Sequence, residues 1–199
     1  MSLINQVIPE QGFEVVRDTI GAILKIELEN QKTLQGLTDD INVFVGRSNP
    51  FQQSEKLMIN ILLDSGDYSN PHEKGNHEKT VFFIDIYTSA KENETNDGGY
   101  VSTKKKDKYL GMIRYILQDH HYKTLGLPMG SIMGTQVDGF ENFESSNNQD
   151  AAFVKMSRLT FSVRIVEDQS LWDGIEINTI FTDVKLDLTD LGYQYEFTN

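Results

Sequence analysis

The 199 residues carry a formal net charge of -12, no cysteine and four scattered prolines, with 38% hydrophobic residues. Such a chain is read as one soluble domain with a single core, and without cysteine it has no disulfide framework, thiolate nucleophile or thiolate metal site. Its acidity argues against tight general DNA binding, which needs Lys and Arg to displace counterions from phosphate.

No apolar run approaches the about 18 residues of a membrane span, and "MSLINQVIPEQG" has neither the basic nor the apolar part of a secretion signal. A cytoplasmic chain without membrane contact is therefore expected. The first element is a helix over about 11–34. Phe13, Val16, Ile20, Ile23, Leu24 and Leu28 recur at steps of three and four on one face, with Pro9 before and Gly36 after. The alternation in "KIELE" could also be read as strand.

Three strand-like runs follow: "INVFVG" (41–46), "KLMINILL" (56–63) and "KTVFFIDIYTSA" (79–90). The third is apolar on both faces, as a central strand is, but Asp85 interrupts one of them. The polar segment 64–80 between the second and third runs reads as a loop insertion, and "KENETNDGGYVS" (91–102) as another loop. A second helix is expected from Lys108, capped by Ser102 or Thr103, with Tyr109, Met112, Ile113, Ile116 and Leu117 as its apolar stripe and Gly126 and Pro128 beyond its end.

Residues 129–150 are rich in Gly, Asn and Ser and read as a long loop or arm. "SRLTFSVRI" (157–165) is the clearest strand: Leu159, Phe161, Val163 and Ile165 face one way, and Arg158, Thr160, Ser162 and Arg164 the other. Strands at 176–188 and 193–197 close the chain. Blocks of strands separated by helices predict an α+β fold, a mostly antiparallel or mixed sheet packed against two helices, with long polar loops at 64–80 and 129–150.

The residues that could carry chemistry do not assemble into a known motif. His72 and His77 have the wrong spacing for a preformed metal site. His120 and His121 are adjacent, so on a helix they would point about 100° apart; they are read as imidazoles meeting the negative end of the helix dipole. "DSGD" and "DGFENFE" do not follow a calcium ladder, and Trp172 reads as a turn anchor or contact residue. Neither a phosphate-cradling glycine loop nor a nucleophile elbow is present. No catalytic residue, cofactor or metal is assigned, although paired-carboxylate catalysis stays open because partner distances are invisible in a sequence.

One stretch stands out in so acidic a chain: "TKKKDK", with Lys104, Lys105, Lys106 and Lys108. Three readings are open, a solvated loop, contact with an acidic protein surface, or contact with phosphate. At the start of a helix these charges would oppose the positive dipole end, at up to about 1 kcal/mol each. Their acidic neighbours "KENETND" weigh against nucleic acid.

The layout of an amphipathic helix, strands through "VFVGRSNPF" and "VFFIDIYTSA", the helix "DKYLGMIRYIL", a polar arm and the strand "MSRLTFSVRI" resembles the tail terminator proteins of tailed bacteriophages over about residues 10–190. That resemblance implies a non-enzymatic structural subunit of the virion, made in the host cytoplasm. It would form a ring, commonly a hexamer, that caps the tail tube, stops its growth and joins it to the head. Its partners would be other copies of itself, the tail tube protein and neck proteins, with genomic DNA passing through the lumen unbound.

An acidic wall suits such a passage. Lys104, Lys105, Lys106, Lys108, Arg158 and Arg164 are the candidate protein contacts. A head-tail connector is the nearest alternative; a metal-dependent hydrolase and a small acidic binding module are alternatives of other classes.

Overall fold

The computed structural model describes residues 7–49, 51, 55–67, 71–72, 75–91, 97–144, 152–167, 179–185 and 192–198. They fall into two compact units, Met1–Asp168 and Gln169–Asn199. The first is an α+β layer: helices α1 (Gly12–Gln35) and α2 (Gly98–Gln118) pack on a sheet of order β1-β2-β4-β6-β5. The strands are β1 (Asn42–Val45), β2 (Leu57–Asp67), β4 (Gly75–Lys91), β5 (Ile132–Glu144) and β6 (Ala152–Glu167), with the short β3 (Pro71–His72) paired to the start of β4. Among the described strands of this sheet β1 and β2 run parallel and the other pairs are antiparallel. The second unit is an antiparallel pair, β7 (Thr179–Lys185) with β8 (Gly192–Thr198).

Helix α1 begins where the sequence indicates. Gln11 and Glu14 form a reciprocal capping box, and Gly36 ends the helix with φ 62°, a left-handed conformation that costs glycine nothing. Val16, Ile20, Ile23, Leu24 and Leu28 are buried along one face, each contributing about 1.5–3 kcal/mol relative to exposure. "KIELE" is helical throughout. The helix comes close to β1 at Gly21, where a Cβ would lie 2.6 Å from Val45 Cγ2.

The core lies between this helix layer and one face of the sheet. Leu57, Ile59 and Ile61 from β2 align with Thr88, Ile86 and Ile84 of β4, and Phe82 and Ile84 align in turn with Phe161 and Leu159 of β6. The alternation of β6 is as expected, with Leu159, Phe161, Val163 and Ile165 all buried.

Three expectations are corrected. The described residues of the segment 64–80 are strands: β2 continues to Asp67, opposite Lys79, beyond a bulge between Leu63 and Ser65, and β3 pairs with the start of β4. Polar side chains are no obstacle there, because backbone pairing carries the strands beyond the core. Helix α2 starts at Gly98, ten residues before Lys108, with Asp97 as its cap; the Asp97 carboxylate accepts from Gly99 N at 2.8 Å. The glycine pair, poor in intrinsic helix propensity, hides that start.

Finally, 132–144 is not a loop but the edge strand β5. Bulges at Met133 and Asp138 shift its register twice, which erases the two-residue period expected of a strand. The reading of Trp172 lies outside the described residues, as do the ends of the strand expected over 176–188. No helix among the described residues is long and apolar enough to cross a membrane.

Candidate functional site

The face of the sheet away from the helices carries a charged pair in an aromatic setting. Asp85 and Arg158 stand directly opposite each other on β4 and β6, and the guanidinium donates to both carboxylate oxygens, at 2.7 and 2.9 Å. Arg158 also lies 4.3 Å over the ring of Phe83 and 5.8 Å from that of Phe143. The hydrogen bond to Asp85, outweighing partial burial, raises the Arg158 pKa above its ordinary value and keeps it cationic. Burial raises the neighbouring Tyr87 phenol, and the nearby Asp85 charge adds to it; Phe51 stacks on Tyr87 with ring centroids 5.6 Å apart. A second clamp, Arg47 with Glu55, lies beside Phe44 on the same side, where Asn60 holds both backbone groups of Arg47.

The lysine cluster lies within α2, past its first turn, where the dipole field has largely faded. No dipole cost therefore has to be offset. The four lysines divide by helical phase. Lys105 pairs with Asp39 at 2.5 Å, and Tyr109 donates to the other oxygen of Asp39 at 3.0 Å, tying α2 to the turn after α1. Burial, followed by the Asp39 charge, raises the Tyr109 pKa well above its ordinary value.

Lys106 is buried, 5% exposed, with Nζ donating to Asn142 Oδ1 of β5 at 2.7 Å; Ser157 donates to the same oxygen. Lys104 and Lys108 are exposed, as is Arg164 on β6. Their exposed neighbours on α2 include Tyr100, Asp107, Gly111, Arg114 and Tyr115, and positions 100, 104, 107, 108, 111 and 115 lie along one stripe at steps of three and four, aromatic at both ends, with the acidic Asp107 between the two lysines.

An acidic counterpart lies on the sheet edge. Asp138, Phe140, Glu141 and Phe143 of β5 are all exposed. Glu141 and Phe143 pair across to Arg158 and Met156 and so share the helix-free face, whereas Phe140 pairs with Leu159 on the helix side. Bulges and carboxylates on an edge strand oppose open-ended strand pairing, and leave side chains as the means of contact.

Beyond α2 the backbone turns extended at Asp119, so His120 and His121 sit in a short 3-10 turn instead of on the helix. Both rings then fold toward one atom. His121 Nδ1 lies 2.7 Å and His120 Nδ1 3.3 Å from Asp119 Oδ1, which also accepts from His121 N at 2.9 Å. The backbone bond from His121, followed by its side-chain bond, holds the Asp119 pKa below its ordinary value. The histidines remain at the C-terminal end of a helix, as expected, but their convergence depends on a backbone break that spacing does not reveal. Of His72 and His77 only the backbone, at the β3–β4 hairpin, is described.

Sequence reasoning missed Tyr100, Tyr115 and the β5 residues. The stripe on α2 becomes visible once Asp97, followed by two glycines, is taken as the helix cap. Scans against protein-family models and against curated proteins give no match. Among solved structures, a chain from the virion of a native gene transfer agent particle is similar in part of its path, with 15% identity and a TM-score of 0.45 over 74% of this chain and 94% of that one.

Proposed function

We propose that this chain is a structural subunit of a phage-like virion that works by contact. In this reading it is a tail terminator whose copies close into a ring, commonly a hexamer, on the end of the tail tube. The ring stops tube growth and offers a surface to the neck. It lets DNA through a lumen whose acidity, favoured by the net charge of -12, prevents trapping.

The observation that carries the reading is the pair of opposite patches on one subunit. Tyr100, Lys104, Lys108 and Tyr115 form an aromatic stripe on the outside of the helix layer that stays net basic, because Asp107, the carboxylate within it, is paired with Lys106 at 3.2 Å. Asp138, Glu141 and Phe143 form an acidic, aromatic rim at the sheet edge, two of them on the other face of the sheet. Two different patches that complement each other make a head-to-tail contact, and such contacts close into rings when the rotation allows. Aromatic residues supply the area and opposite charges the orientation. Arg164, exposed on β6, is a further contact in this reading, while Lys105, Lys106 and Arg158 hold the subunit in shape.

The test is a charge swap. Lys104→Glu with Lys108→Glu should abolish rings seen by electron microscopy and light scattering, alone or on added tail tubes. Asp138→Lys with Glu141→Lys should do the same, and an equimolar mixture of the two variants should regain mixed assemblies. A wild-type protein that remains monomeric at high concentration and ignores tube ends would overturn the reading.

A further inference from the structure

The turn that follows α2 brings three potential metal ligands together on the surface. One ligand atom from each of Asp119, His120 and His121 lies within 4.8 Å of the others, and the Nδ1 atoms of His120 and His121 are 3.3 and 2.7 Å from Asp119 Oδ1. A tetrahedral ion with bonds of about 2.0–2.1 Å to nitrogen and oxygen holds its ligands about 3.3 Å apart, so the observed separations need only small side-chain adjustments. The ring centroids are 3.7 Å apart and tilted, with side chains 75% and 72% exposed, so an ion can reach the site without opening the core.

We propose that Asp119, His120 and His121 form a binding site for a borderline divalent transition metal of the zinc type. Imidazole nitrogen with one carboxylate suits such an ion better than calcium or magnesium, which select all-oxygen shells. The ion takes the place of the hydrogen that Nδ1 of His121 shares with Asp119. Each bound ring then carries its proton on Nε2 and presents the Nδ1 lone pair. The location adds to affinity, because the last carbonyls of α2 place partial negative charge nearby. Asp119 is already oriented by its bond from His121 N. Three protein ligands leave a fourth position for water or for a side chain of another molecule.

Zinc chloride titrated into the full-length, chelator-free protein by calorimetry should give one saturable site per chain in the micromolar range, with a matching rise in thermal midpoint. His120→Ala and His121→Ala should each weaken binding at least about tenfold, and the double variant should abolish it with the metal-free melting temperature unchanged. His72→Ala with His77→Ala should leave binding intact. Absence of saturable binding at millimolar zinc, or binding that survives loss of His120 and His121, would overturn the assignment.

Discussion

Asp85 and Arg158 face each other across β4 and β6 in an asymmetric environment: the carboxylate side chain is 2% exposed and the guanidinium 30%. Buried on its own, Asp85 would be an uncompensated charge, so the two losses differ in kind. Arg158→Ala should destabilise by about 3 kcal/mol, because it strands the carboxylate. The double variant Asp85→Leu, Arg158→Met should recover much of that loss, since an apolar pair removes the desolvation penalty as well as the attraction. Urea denaturation of the Arg158→Ala variant and the double variant checks it; equal losses in the two would show that the pair is not what holds this face.

In the proposed ring the lysines of α2 separate folding from assembly. Lys104→Glu and Lys108→Glu change exposed groups and should alter stability by no more than about 0.5 kcal/mol, while weakening self-association. Lys106→Glu puts a carboxylate where a buried ammonium meets Asn142, two acceptors facing each other, and should cost about 3 kcal/mol or more. Thermal melts read beside sedimentation profiles distinguish the cases. The prediction fails if Lys106→Glu melts like the wild type.

Two phenols make stability sensitive to alkali. Tyr122 donates to Glu27, linking the turn after α2 back to α1, and that bond raises its pKa to about 12; Tyr109 is raised as well, chiefly by burial and then by Asp39. A folded-state pKa above the unfolded one near 10 means that the folded state holds the proton more tightly. The contribution is thus whole below about pH 10 and is lost as pH climbs through the folded value. Unfolding free energy should fall between about pH 10 and 12, and Tyr122→Phe, with Tyr109→Phe, should flatten that slope at the cost of about 1 kcal/mol each at neutral pH. A slope unchanged in the double variant would refute the linkage.

What the sequence made legible follows from how each element earns its burial. Helix α1 and strand β6 each put one unbroken apolar face on the core, so periods of 3.6 and 2 could be read directly from Val16 to Leu28 and from Leu159 to Ile165. Strand β5 is an edge strand with bulges at Met133 and Asp138, and its backbone pairing with β6, not its pattern, makes it a strand. The pairing of Asp85 with Arg158 was half visible: one residue stood out as a polar break in an apolar strand, the other as a charge on a polar face, but only the register joins them. The stripe on α2 was hidden by its glycine start, and the meeting of His120 and His121 at Asp119 by the extended backbone after Gln118.

At Gly21 helix α1 comes close to the sheet. The Cβ of an alanine there would stand 2.6 Å from Val45 Cγ2 and 3.9 Å from Ile61 Cδ1, well inside the about 3.5–4.0 Å at which carbon atoms rest. Alanine would otherwise favour the helix by about 1 kcal/mol over glycine. The clash should overcome that gain, because β-branched Val45 has few rotamers with which to yield. Gly21→Ala should therefore destabilise by about 1–2 kcal/mol, whereas Gly21→Ala with Val45→Ala, which clears the contact at the half-exposed end of β1, should return to within about 0.5 kcal/mol of the Val45→Ala variant or exceed it. Chemical denaturation of the four proteins in that cycle decides the matter: a Gly21→Ala variant more stable than the parent would mean that α1 can lift from β1 without loss.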